Sequence, residues 1–120
     1  KIVGIKMLRM TDELVAEHYS HLTDKPFFKD LRDFMMETPI IALVIEGFEA
    51  VKRVRILAGP TNPREAMPGT IRGDYSISTR KNVIHASGTV DEAKAEIKRF
   101  FREDEIFDYI RKNAMDYIVS

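Results

Sequence analysis

The order of apolar segments predicts an α+β fold: an antiparallel, ferredoxin-like sheet covered by helices. Three observations predict it. Segments with the two-residue period of strands alternate with segments of helical period. Caps and breakers stand at the joins, with Thr11, Pro39, Gly59 and Thr89 the clearest. The element order reads β-α-α-β-α-loop-β-α, and one more strand and helix ahead of Lys1 would complete the β-α-β-β-α-β pattern.

The chain opens on a strand, because Val3, Ile5 and Met7 alternate with Gly4, Lys6 and Leu8. A helix follows from Thr11, a good N-cap with Asp12 and Glu13 in its first turn, and Leu14, Val15, His18, Tyr19 and Leu22 recur at helical spacing. Lys25-Pro26 breaks it. Phe27, Phe28, Leu31, Phe34 and Met35 form the stripe of a second helix that stops before Pro39. Ile40 to Ile45 is apolar at every position, which predicts a central strand covered on both faces. Val51, Val54, Leu57 and Ala58 are the buried stripe of a third helix, with Gly59 just past its end.

From Pro60 to Gly73 the chain carries three prolines (Pro60, Pro63, Pro68) and little apolar periodicity, so a long ordered loop is expected there. Asn82 to Ser87 is a short strand candidate. Thr89-Val90-Asp91-Glu92 is a capping box, and Ala93, Ile97, Phe100 and Phe101 supply the core face of the helix it starts. A short helix around Asp104 to Arg111 and an amphipathic end, Met115 to Val119, complete the reading.

Composition narrows the function classes. The chain has 120 residues, the size of one domain, and is read as a single unit over residues 1–120. Lys plus Arg and Asp plus Glu number 19 each, so no net field holds a polyanion, and any phosphate binding must be local; nucleic acid is not an expected partner. With no cysteine there is no thiolate nucleophile and no Cys-type zinc site, and a reducing cytoplasm is the expected location. The longest apolar run, Ile40 to Ile45, is far short of the roughly 20 residues needed to cross a bilayer.

The loop and the strand carrying His85 hold side chains suited to phosphoryl transfer, which needs fixed cations and donors around the group and a nucleophile in line with it. Arg55, Arg72, Thr61 and Asn82 are of the right types. A neutral imidazole held at one nitrogen by a carboxylate can present the other as nucleophile, and His85 with Glu96 is the candidate pair.

Asn82-Val83-Ile84-His85-Ala86-Ser87 resembles the Asn-x-x-His-[Gly/Ala]-Ser signature of nucleoside diphosphate kinases. Gly59-Pro60-Thr61-Asn62-Pro63 and Pro68-Gly69-Thr70-Ile71-Arg72-Gly73-Asp74 resemble that family's nucleotide loop. Glu17-His18-Tyr19 and Lys25-Pro26-Phe27-Phe28 extend the similarity over nearly the whole chain. The resemblance implies that His85 accepts the γ-phosphate on Nδ1, that Glu96 holds the other imidazole nitrogen, that Ser87 supports Glu96 and that Tyr19 stands near the histidine. It further implies that Arg55, Thr61 and Arg72 bind the nucleotide phosphates, that Asn82 meets ribose and phosphate, and that Phe27 stacks on the base with Leu31 as apolar companion. Base stacking tolerates any base, so low base specificity is expected. Mg2+ bound through the nucleotide phosphates is the implied cofactor, and a homo-oligomer, hexamer or tetramer, the implied assembly.

The family's first strand and helix, including a Lys-Pro-Asp motif whose lysine meets the transferring phosphate, have no counterpart from Lys1 onward. The alternative reading is therefore a nucleotide-binding or scaffold module of the same fold that does not turn over. Taken alone, His85 is most simply a structural histidine, and only its surrounding signature lifts it out of that class. His18 and His21 at i and i+3 read as a solvated helix face rather than a metal pair. Phe28 reads as a core residue, Pro63 as a loop stiffener, and Arg53, Arg64, Arg80 and Lys81 as solvated charges.

Overall fold

The structure is a computed structural model and describes residues 1–111. Strand β1 (Ile2–Leu8) pairs antiparallel with β2 (Ile40–Ile45), Ile5 opposite Leu43 and Met7 opposite Ile41. Between them run helix α1 (Asp12–His18), a 3-10 turn at Ser20–Leu22 and helix α2 (Phe28–Glu37). Helix α3 (Ala50–Ala58), a 3-10 turn at Pro63–Glu65, the short helix α4 (Ile71–Tyr75) and helix α5 (Val90–Phe100) follow.

The caps form where local chemistry placed them. Thr11 Oγ1 accepts from Leu14 N at 3.2 Å, and Thr89 Oγ1 accepts from Glu92 N at 3.1 Å while Glu92 Oε2 reaches back to Gly88 N at 2.8 Å. Gly59 ends α3 with φ 85°, a backbone state in which a Cβ would also meet Thr70 Oγ1 at 2.8 Å.

The core lies on one face of the hairpin of strands, where Val3 and Val44 pack with Phe101, flanked by Ala42, Ile97, Phe100 and Ile106. The ring of Phe101 lies against Gly4, where a Cβ would approach it to 3.1 Å. Phe107 N donates to Val3 O at 2.8 Å, so the chain after α5 runs beside β1.

Several expectations are corrected. The sheet has two strands among the described residues, because Asn82 to Ser87 joins no ladder. Its carbonyls find other donors: Ile84 O accepts from Arg72 and Ala86 O from Arg55. Strand β2 is covered on one face only, with Val44 buried and Ile41, Leu43 and Ile45 exposed. The stripe of β1 is split as well: an irregularity between Ile2 and Gly4 turns Val3 inward, while Ile5 and Met7 share the uncovered face with Leu43 and Ile41.

In α3 Ala58 is buried but Leu57 is exposed, and the loop after Gly59 contains the 3-10 turn and α4. Pro63 is buried in that turn, and Phe28 is half-buried. The expected helix near Asp104 to Arg111 is reduced to a 3-10 turn at Glu103–Glu105. The amphipathic segment Met115 to Val119 lies outside the described residues.

Candidate active site

The capping box sets the centre of the site. Thr89 fixes where α5 begins, and Glu96 falls on the helix face that looks back at the segment before the cap. There Glu96 Oε2 lies 2.6 Å from His85 Nε2. The His85 side chain is 48% exposed and that of Glu96 16%, so the acid is largely enclosed and the ring opens to solvent. His85 Nδ1 makes no hydrogen bond to any described residue.

Burial works against the charged form of Glu96, but Ser87 and the imidazoles of His85 and His18 outweigh it and hold the carboxyl below its ordinary range. Glu96 Oε1 is buried without a hydrogen-bond partner among the described residues. Tyr19 stands near the histidine, its ring centre 6.4 Å from that of His85, with its hydroxyl directed at Met35 Sδ, 3.8 Å away. Burial, and then the charge of Glu96, push the Tyr19 phenol up.

Two guanidinium groups flank the histidine segment. Arg55 Nη1 donates to Ala86 O at 3.3 Å. Arg72 is 5% exposed and spans two carbonyls, donating from Nη1 to Gly59 O at 2.7 Å and from Nη2 to Ile84 O at 2.8 Å. Burial, and then the charge of Arg55, lower its pKa, and no acidic side chain among the described residues forms an ion pair with either arginine. Two neighbouring cations without an acid partner put local positive charge beside the histidine segment on a chain of zero net charge. Thr61 is exposed and Asn82 half-buried, and neither side chain bonds to another described residue.

Phe27 precedes α2 and is half-exposed, and Arg80 lies over its ring, Cζ 5.2 Å from the centroid. Lys81 covers Phe34 in the same way at 5.7 Å, so these two cations sit on aromatic faces and not simply in solvent. An open groove of about 580 Å³ runs beside them, lined by Asp30, Leu31, Asp33, Phe34, Glu37, Ser78, Arg80 and Lys81. It shares only Leu31 with the candidate residues, and three carboxylates line it, which sets it against an anionic ligand.

Pattern reading missed His18 and Arg99. Spacing sets His18 with His21 on a solvated helix face; His21 is exposed, but the side chain of His18 is buried and turns its ring edge-on to His85 with centroids 4.7 Å apart. Nothing in the sequence marks this, because the partners of His18 come from the far end of the chain.

An imidazole held by a carboxylate, beside two guanidiniums free of acid partners and on an α+β frame, is the equipment of a phosphotransferase. The nucleoside diphosphate kinase family model matches residues 1–106. A nucleoside diphosphate kinase of Parabacteroides distasonis is 51% identical over 115 residues, covering 96% of this chain and 75% of the relative, and that of Pyrococcus abyssi is 47% identical over 120 residues, covering 98% and 76%. The structure of a halophilic nucleoside diphosphate kinase from Halobacterium salinarum in complex with CDP matches with TM-score 0.89 and 43% identity, over 98% of this chain and 78% of that one. A family member from Babesia bovis matches with TM-score 0.88 and 39% identity, over 92% and 75%. This chain belongs to the nucleoside diphosphate kinase family.

Proposed function

We propose that this chain transfers the γ-phosphate of a nucleoside triphosphate to a nucleoside diphosphate through a phosphohistidine on His85. The observation that carries the reading is the 2.6 Å contact between Glu96 Oε2 and His85 Nε2, which leaves Nδ1 open at an exposed ring edge. Held by the carboxylate, the neutral ring keeps its proton on Nε2 and its lone pair on Nδ1. Nδ1 bonds to the γ-phosphorus as the bond from that phosphorus to the β-phosphate oxygen breaks, and the nucleoside diphosphate leaves. The positive charge gained by the ring is balanced by Glu96. A second diphosphate then takes the phosphoryl group by the reverse step, a ping-pong cycle.

Arg55 and Arg72 are the cations for the polyphosphate, and Thr61 and Asn82 offer neutral donors toward phosphate and ribose. Phe27 and Leu31 form the base platform, which recognises a π-face and an apolar edge. Mg2+ enters with the nucleotide: guanidinium, hydroxyl and amide groups suit phosphate oxygens and leave the cation to the phosphates and water. When bound, it neutralises charge on those oxygens.

The assembly fitting this reading is a homo-oligomer, hexamer or tetramer, supported by the uncovered apolar face of Ile5, Met7, Ile41 and Leu43. No helix among the described residues is long and apolar enough to cross a membrane, and a cysteine-free chain suits the cytoplasm. The single-domain reading of residues 1–120 stays part of the proposal.

Incubation with γ-labelled ATP and Mg2+ should give an acid-labile phosphoprotein that discharges on adding a diphosphate, and His85→Ala should abolish it. Nucleotide that raises the Tm without labelling would instead support the non-turning-over binding module.

A further inference from the structure

The proposed reaction leaves His18 without a task, yet this ring is closely confined beside the site. It is the last residue of α1, its side chain is 5% exposed, and it meets the rings of Tyr19, His85 and Phe100 edge-on at 4.7, 4.7 and 5.0 Å. Its two nitrogens face different partners. Nδ1 lies 2.9 Å from Arg99 Nη1, and Nε2 lies 3.5 Å from Glu96 Oε2, the same oxygen that holds His85.

A guanidinium can only donate, so His18 Nδ1 must accept and carries the lone pair. In a neutral imidazole the proton then stands on Nε2, directed at Glu96. Burial chiefly, with the nearby His85, Arg99 and His21 against the pull of Glu96, pushes the His18 pKa down to about 4, which keeps the ring neutral. Arg99 is itself steadied, its Nε 3.4 Å from Glu17 Oε1. Two hydrogen bonds, Arg99 to His18 and His85 to Glu96, are thus joined by the 3.5 Å approach of His18 Nε2 to Glu96 Oε2.

We propose that His18 is a positioning residue for phosphoryl transfer: Arg99 locks it in the Nε2–H tautomer, and that N–H braces Glu96 so that His85 keeps its proton on Nε2 and its lone pair on Nδ1. The proposal rests on the phosphohistidine reading of His85. A metal site is the competing use of the same cluster, since His18, His85 and Glu96 offer ligand atoms within 4.8 Å of one another. Coordination through His18 Nε2 would move the ring proton to Nδ1 and set it against the Arg99 N–H, so the hydrogen-bond pattern favours the proton over a cation.

Two measurements test it: long-range 1H–15N spectra of histidine-labelled protein, which distinguish tautomers, and single-turnover phosphorylation with ATP and Mg2+. Both His18 and His85 should show the Nε2–H pattern in the unaltered chain, and Arg99→Leu should turn His18 into a tautomer mixture. His18→Leu should slow phosphorylation about ten-fold, with nucleotide KM held within about two-fold and a mixed His85 tautomer. His18→Gln, which keeps an N–H near the place of Nε2, should restore most of the rate. A His18 proton found on Nδ1, or an unchanged His85 spectrum and rate in His18→Leu, overturns the proposal. Should His18→Leu not fold, the tautomer of the unaltered chain and the Arg99→Leu spectrum decide alone. Failure of the His85 reading is distinct, because the unaltered chain would then take up no label.

Discussion

Arg72 Nη2 donates to Ile84 O at 2.8 Å, and this bond joins the nucleotide loop to the residue immediately before His85. The other end of the same guanidinium holds Gly59 O at 2.7 Å, so one buried side chain sets where loop and histidine stand relative to each other. An ammonium lacks the planar fork whose two nitrogens meet the two carbonyls. Arg72→Lys should therefore cost about 2 kcal/mol in urea unfolding and raise nucleotide KM roughly ten-fold. A stability loss with KM unchanged would make Arg72 a structural clamp with no part in phosphate binding.

Stability should fall on the acid side of neutrality. His18 has a pKa of about 4 in the folded chain against an ordinary 6.5, so between those values the unfolded chain binds the additional proton. The contribution is complete above pH 6.5 and is lost as pH falls toward 4, amounting to roughly 3 kcal/mol. Glu96, held below its ordinary range despite burial, extends the loss to lower pH, because its contribution is present above the unfolded value and fades as the folded carboxyl protonates. Denaturant unfolding at a series of pH values should show this slope, and His18→Gln should flatten the upper part of it. An equal slope in the variant would remove His18 as its source.

The ring of Phe27 carries the guanidinium of Arg80 on its face. A base that stacks there replaces one π contact by another, so every base gains about equally. Phe27→Ala should raise KM for adenine, guanine, cytosine and uracil nucleotides by a common factor, of the order of ten-fold. Steady-state kinetics with the four nucleotides checks this, and a change in the ranking of bases would show that Phe27 reads base edges.

Much of the fold was legible because its signals are short-range. Thr11 and Thr89 bond to amides three residues ahead, and Gly59 adopts the backbone state that glycine tolerates, so spacing and residue type were enough. The errors fall on contacts between distant segments. Ile40 to Ile45 shows by composition that it seeks apolar cover, but composition does not say on how many faces cover is supplied. Asn82 to Ser87 reads as a short strand, and burial alternates from Asn82 to Ala86, yet two arginines take carbonyls that a neighbouring strand would have taken.

At the site the division is similar. The order of residue types names the candidate groups: an imidazole in a recognisable signature, an acid on the helix that follows, and two arginines around a proline-rich loop. Folding alone settled that Glu96 serves two imidazoles, that Arg72 is buried rather than extended into water, and that His18 turns toward Arg99, which is 81 residues away. Helix phase and capping are energies between near neighbours, so they are written in local pattern. A ring's tautomer or a guanidinium's partner depends on which remote atoms arrive within about 3 Å, and that is known only once the whole chain has packed.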